Sequence, residues 1–269
     1  MMSKFFKTLR KRILTGGTFS KYLKYAFGEI LLTILGIILA LQIHTWAEDR
    51  FDRQELESIA GNLSTEFELN KKKLETTLES LQSCLKSAKI VIGLVGKDKT
   101  TLRQYNLDSL LAVSFQYKKF GASQDVIAVL INSNELKLLE DSSMKQSLYD
   151  WSSDTSTLAD RFDDLDTNTS KVFGYLTQNY SLKDLDYYTS ERLLGKSNLP
   201  VDKFAVFDDI VFENHLDNHI YYLHSYVTAL QQTAEIIDRI LQNSEKYKVP
   251  EGETPHKARL KHKEEELLP

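Results

Sequence analysis

The sequence predicts an all-α protein, with an N-terminal transmembrane helix continuing into an elongated antiparallel helical bundle. Three observations carry that expectation. Tyr25 to Trp46, YAFGEILLTILGIILALQIHTW, contains no Lys or Arg and a single carboxylate, Glu29. Three later segments place apolar residues at alternating spacings of four and three, the period of a buried helix face. Finally, the 269 residues include only four prolines and eleven glycines, few for the turns of an all-β domain.

As a helix, Tyr25–Trp46 rises about 33 Å, enough for a hydrocarbon core of ~30 Å. Its centre, Ile30 to Leu41, is interrupted only by Thr33 and Gly36, and Tyr22, Tyr25 and Trp46 sit where interfacial aromatics sit. Charge sets the expected orientation. Residues 1–28 carry seven cations and no acid, whereas Glu48 to Glu57 is mixed. The positive-inside rule then leaves the N-terminus in the cytoplasm of a bacterial inner membrane and exports the chain beyond Trp46 to the periplasm. A cleaved signal peptide is the competing reading. Its basic region would be unusually long and its one small-residue site, Thr45-Trp46-Ala47, is poor. The expected domains are a basic arm (1–24), the span (25–47), a periplasmic bundle (48–249) and a disordered tail (250–269).

One stripe of the span differs from the rest. Glu29, Thr33, Gly36 and Ala40, continued by Ile43 and Ala47, recur every four or three residues, polar at one end and small along their length. Small residues let helix backbones approach, and an intramembrane carboxylate needs a partner. The sequence therefore marks Glu29, Thr33, Gly36 and Ala40 as a helix-packing stripe. The bland alternative is a snorkelling Glu29 and an incidental Gly36.

The net charge is −4 overall; the +7 of residues 1–28 leaves −11 for the remainder, which argues against nucleic acid as a partner. The bilayer and a membrane or envelope protein, or a second copy of the chain, are the expected partners. Cys84 stands alone, so no intramolecular disulfide is possible. It is read as a partly buried structural thiol, with an intermolecular disulfide as the alternative.

In chain order, KFFKTLRKRIL (4–14) reads as a short basic amphipathic stretch, Thr15 to Thr18 as a break, and Ser20 as a helix cap. One long helix is expected from about 49 to 95, projecting outward from the span. Its seam is read as Leu56, Ile59, Leu63, Phe67, Leu74, Leu78, Leu81, Leu85, Ala88, Ile92 and Val95, with a phase slip between Leu63 and Leu78. Gly96 and the KDKTT run end it. Short helices follow at Leu107–Val113 and from Ser123, the latter stopping at Asn132-Ser133-Asn134. The clearest helix has Met144, Leu148, Trp151, Thr155, Leu158, Phe162, Leu165, Thr169, Val172, Leu176 and Asn179 in its seam. Residues 181–206 form a connection long enough to hold structure of its own. A last helix, about 207–245, is read with Leu216, Ile220, Leu223, Val227, Leu230, Ala234, Ile237 and Leu241 as its seam.

Two stretches resemble a family of uncharacterised bacterial single-span membrane proteins, a domain of unknown function. In the first, Gly28-Glu29-Ile30, then Gly36-Ile37, Ala40-Leu41-Gln42-Ile43 and Trp46 match the family's anchor motif. The second is QDVIAVLINSNELKLLEDSSMKQSLYDW, in which Ser133-Asn134 stands where a Ser-Gly turn is expected. The resemblance implies an N-terminal anchor and a helical exported domain, and no activity.

Motifs for chemistry are sparse. His215 and His219, four apart, could reach one metal, with Asp208 on the same face. Hydrogen-bonded or solvated histidines are the commoner explanation. Asp164-x-Asp166-x-Asn168-x-Ser170 copies the start of an EF-hand loop, but Thr169 and Tyr175 replace the turn glycine and the bidentate glutamate. No Gly-x-Ser-x-Gly elbow or phosphate loop occurs. Tyr221, Tyr222 and Tyr226 read as packing or as an aromatic contact surface. The expected function is that of a non-enzymatic interaction or scaffold component of the cell envelope, with no cofactor. A periplasmic sensory ligand-binding bundle signalling through a membrane partner comes second, and a metal-binding envelope protein third.

Overall fold

The computed structural model describes residues 17–133, 135–139, 141–189 and 195–247. The basic stretch 4–14, Asn134 of the expected turn and the tail 250–269 lie outside the described residues. The chain is all-α: α1 (Gly17–Leu94), α2 (Lys99–Leu102), α3 (Leu107–Ser114), α4 (Asp125–Ser133), α5 (Ser142–Asn179), α6 (Leu182–Asp186) and α7 (Ile210–Glu245), with 3-10 turns at Glu135–Lys137 and Ala205–Asp208. Among the described residues there is no strand. Ser20, read as a helix cap, lies inside α1, which already begins at Gly17.

The chain divides into two units, Met1–Leu56 and Glu57–Pro269. In the first, the described side chains from Tyr25 to Arg50 are all exposed. α1 is the one described helix long and apolar enough to cross a membrane.

In the second unit the helix ends follow from local chemistry. α1 stops where Gly96 takes φ = +72°, a conformation open to glycine, and the Gly96 N–H donates to the Phe207 carbonyl at 2.8 Å. Asp98 then accepts from the N–H groups of Thr100 and Thr101, bonds that hold its carboxyl below the usual range, and starts α2. Asn106, Asp141 and Asp209 cap α3, α5 and α7 in the same way.

α5 and α7 run antiparallel. Lys246 meets Asp141, Asn243 meets Ser143, Thr233 meets Asp154, Arg161 meets Ser225 and Thr169 meets His219 in an evenly descending register. The Glu57–Leu94 part of α1 runs parallel to α5. Phe67 packs edge-on against Trp151 at 4.8 Å, and Ala88 and Val91 share a cluster with Val172 and Leu176. Two successive long helices can be parallel because residues 95–141 carry the chain back down. Along that return Leu110, Gln116, Ser123 and Val126 meet Ser87, Cys84, Asn70 and Glu66 of α1 in turn.

The buried faces refine the sequence reading. In α5 the expected seam is inside up to Leu176, with Thr155 and Phe162 half-buried; Asn179 is exposed and Tyr180 is buried instead. In α7 the deepest residues are Phe212, Leu216, His219, Leu223, Tyr226, Leu230, Thr233, Ile237, Ile240 and Ser244, each at most 1% exposed. Ile220, Ala234 and Leu241, read as seam residues, are half-buried flanks. In α1 the expected phase slip does not occur. Ala60, Leu63, Phe67, Asn70, Leu74, Leu81, Cys84, Ala88 and Val91 continue one alternation, with half-buried Thr77 bridging Leu74 and Leu81. The apparent slip arose because Asn70, a polar residue, holds an inside position.

Candidate functional site

The expected helix-packing stripe lies within α1 and is open along its length. Glu29, Thr33, Gly36 and Ala40 are all exposed, and a Cβ added at Gly36 would meet no atom within 4 Å. The Thr33 hydroxyl donates to the Glu29 carbonyl at 2.8 Å, so that face presents a methyl rather than a free donor. Further along α1 the Arg50 guanidinium lies 5.8 Å from the centre of the Trp46 ring, a cation–π contact. Pairing Glu29, Thr33, Gly36 and Ala40 with a second helix would bring backbones close without displacing any side chain of the span itself.

The second constellation is one that sequence reasoning missed. Residues 115–124, between α3 and α4, carry no helix, and a buried backbone N–H or C=O left without a partner is costly. The helix seams supply those partners. Cys84 Sγ and Ser80 Oγ donate to the Gln116 carbonyl at 2.8 and 3.1 Å. The Tyr226 hydroxyl accepts from the Phe120 N–H at 3.1 Å. The Asn70 amide accepts from the Ser123 N–H and donates to its carbonyl, at 2.8 and 2.9 Å. Glu66 caps α4 from another helix, taking the Ser123 hydroxyl and the Asp125 N–H on one oxygen and the Val126 N–H on the other. The polar residues that interrupt the apolar seams are therefore the fasteners of this strap.

His219 belongs to the same set. Its Nε2 lies 3.0 Å from the Ser114 carbonyl, which only accepts, so Nε2 carries the hydrogen. Nδ1 is then an acceptor 3.0 Å from the Thr169 hydroxyl, whose one hydrogen is shared with the Leu165 carbonyl at 2.9 Å, and Thr169 in turn accepts from Tyr117. Burial pushes the His219 imidazole down to about 4 and the Tyr117 phenol up to about 12, so both are neutral near pH 7. With both ring nitrogens engaged, His219 has no lone pair for a metal shared with His215, whose ring instead lies 6.1 Å from that of Tyr175. The chain of donors ends on a backbone carbonyl, not on a solvent-facing nucleophile.

The other sequence candidates are also placed. Asp164, Asp166, Asn168 and Ser170 lie within the unbroken helix α5, where the Asn168 amide donates to the Asp164 carbonyl, so no EF-hand loop exists. Among the described residues no three His, Cys, Asp or Glu gather as metal ligands. Cys84, read as a partly buried thiol, is fully buried, and desolvation raises it to about 12. Tyr226 is fully buried against Phe162, whereas Tyr221 is exposed, so the three tyrosines do not form one surface.

A charged cluster closes the far end of the bundle. Lys203 reaches Asp108 and Asp184 at 2.6 Å each, the Tyr180 hydroxyl donates to Asp108 at 2.7 Å, and the Ser197 N–H donates to Asp184 at 2.7 Å. Burial opposes the charge on Lys203, but hydrogen bonds to the two carboxylates raise it above the ordinary lysine range. Burial likewise opposes ionisation of Asp184, and Lys203 with the Ser197 N–H holds it below the carboxylate range. The cluster ties the 181–206 connection to α3 and is internally satisfied.

Comparison with protein-family models, with curated proteins and with solved structures returns no match to this chain.

Proposed function

We propose that the chain is a single-span, membrane-anchored component of the bacterial cell envelope that acts through protein contacts and not through catalysis. In this reading the span lies in the inner membrane, the N-terminus is cytoplasmic and the helical bundle is periplasmic. The resemblance of the anchor motif to an uncharacterised single-span family belongs to the same proposal. The observation that carries it is the uncovered stretch Tyr25–Arg50, apolar on most of its circumference and lined on one stripe by Glu29, Thr33, Gly36 and Ala40. The apolar circumference suits lipid, and the stripe suits a second helix. Supporting it from the other side, the buried polar groups that fasten residues 115–124 are engaged in holding the fold, and His219 and Cys84 are both unsuited to metal or nucleophilic chemistry at neutral pH.

The test is cross-linking in intact membranes, comparing the native chain with a double variant, Glu29→Leu with Gly36→Leu. A defined cross-linked species that the double variant loses is the expected result. If both proteins remain uncross-linked while inserted at equal levels, the span is a plain anchor and the proposal fails.

A further inference from the structure

Residues 118–123 of the strap make no backbone-to-backbone hydrogen bond among the described residues. Side chains of the long helices hold them instead: Tyr226 at Phe120, Lys73 at Gly121 and Asn70 at Ser123. The strap can therefore leave its seat without breaking a turn of any helix. Segments tied in this way open locally, at a free energy below that of global unfolding.

At the root of the strap stands His219. Its ring is fully buried, with the rings of Phe115 and Tyr117 at 4.8 and 6.2 Å between centres, and its nitrogens face the Ser114 carbonyl and the Thr169 hydroxyl. All four neighbours are neutral, and the titratable groups around them supply no counter-ion. On the strap, the Tyr117 phenol is raised to about 12 and Lys119 is paired with Asp163. From α1 comes Cys84, also raised to about 12, and from α3 Asp108, paired with Lys203. From α5 comes Asp166, which is exposed and whose charge acts on Tyr117. On α7 itself His215 lies one turn away, against Tyr175. A protonated ring in this seat is a buried charge without a partner. With Phe115 and Tyr117 lifted away, water reaches the ring and it regains the affinity of an ordinary imidazole.

We propose that His219 is an acid-operated latch on the strap: a proton taken up by the ring when residues 115–124 lift holds the strap released, while α1, α5 and α7 stay folded. The size of the effect follows from linkage. With the seated ring at about 4 and the released ring near 6.5, the released population rises as pH falls, by ~8-fold from pH 7 to 5.5 and by ~60-fold to pH 4.5. The inference concerns the bundle alone, so it and the contact proposed for the span can fail separately.

The test is hydrogen exchange on the full-length chain in detergent micelles at pH 7, 5.5 and 4.5, with each rate corrected for the intrinsic pH dependence of exchange. The Phe120 and Ser123 amides should open on that ramp, while amides of α5 from Leu158 to Val172 and of α7 from Leu223 to Leu230 stay protected. Cys84, fastened to the Gln116 carbonyl, should react with 4,4′-dithiodipyridine on the same ramp, each rate taken relative to the denatured chain at that pH. Trp46 and Trp151 are the two tryptophans of the chain, so in a Trp46→Phe background Trp151, edge-on to Phe120 at 6.5 Å, should change its emission with no change in helix content. His219→Gln should flatten the ramp. Tyr226→Phe, which keeps the histidine but loses the Phe120 bond, should raise opening at all three pH values with the ramp intact. A wild-type ramp below fivefold at pH 4.5 overturns the proposal, as does an equal ramp in His219→Gln. So does loss of protection in α5 and α7 together with the strap, which makes the event global unfolding; that outcome is read in the wild type, whether or not a variant folds.

Discussion

Replacing His219 by Gln should remove a pH dependence of stability that the wild-type chain carries between pH 7 and pH 4.5. The imidazole is fully buried, and burial lowers it from 6.5 to about 4. In the unfolded chain it titrates near 6.5. As pH falls below that value the unfolded state takes up a proton that the folded state refuses until about 4. The unfolded state therefore binds more protons, and stability is lost as the pH drops through this window. At about 1.4 kcal/mol per pH unit, the interval from 6.5 to about 4 caps the loss at roughly 3–4 kcal/mol, most of it complete by pH 4.5. Groups near the ring do not share the window: Tyr117 and Cys84 are both raised to about 12 and stay neutral. Asp141, Asp184 and Asp209 are lowered from 3.8, so their contributions disappear at still lower pH. Gln offers a donor to the Ser114 carbonyl and an acceptor to Thr169, so the variant should fold with a pH-independent deficit of about 1 kcal/mol. The assay is urea unfolding in mild detergent, followed by Trp151 emission in a Trp46→Phe background, at pH 7, 5.5 and 4.5. Taking the difference between the two proteins cancels the carboxylates common to both. Parallel pH profiles for wild type and His219→Gln would refute the buried, neutral, doubly bonded histidine.

Two further outcomes test the strap. Glu66→Ala deletes the acceptor for the Ser123 hydroxyl and for the Asp125 and Val126 N–H groups, and should cost about 1–3 kcal/mol, with hydrogen exchange accelerating first at residues 123–128. Cys84, buried and raised to about 12, should resist maleimide at pH 7.5 in the folded chain and react fully in denaturant; rapid labelling of the folded protein would contradict both its burial and its bond to Gln116.

The helices were legible in the sequence to different depths, and the reason lies in particular residues. In α5 both positions of the seam are mostly apolar, so hydropathy and burial agree from Met144 to Leu176. In α7 every second seam position has a choice of two neighbours, and hydropathy selects the shallower one, although Val227 is itself buried. Ile220 outranks His219, Val227 outranks Tyr226 and Ala234 outranks Thr233, yet the polar member of each pair lies deeper. The same happens at Asn70, and at Cys84 beside Leu85. Hydropathy records what a side chain prefers in water; it does not record that a strap carbonyl or a facing Thr waits inside. The signal was present as phase. A strict alternation of three and four through Asn70 needs no slip, and a slip is the less economical reading. The path of residues 115–124 was not legible, because an extended segment held by side chains 32 to 106 residues away has no periodicity of its own. The histidine pair was not legible as two separate environments, because His219 is held by partners the sequence does not display.

Those same fasteners bear on how the bundle would respond to a displacement of the strap. The strap is held from α1 by Cys84 and Asn70, from α5 by Thr169 through Tyr117, and from α7 by Tyr226, with His219 holding Ser114 at its root. Burying these polar groups is tolerable only while every bond is made, since a broken one leaves a desolvated donor or acceptor. The set therefore favours two states, strap seated or strap released, over a continuum of partial shifts. Moving Phe120 strains the Tyr226 bond first, and Tyr226 shares its helix face with His219 two turns away, so displacement propagates along α7 before it reaches α1.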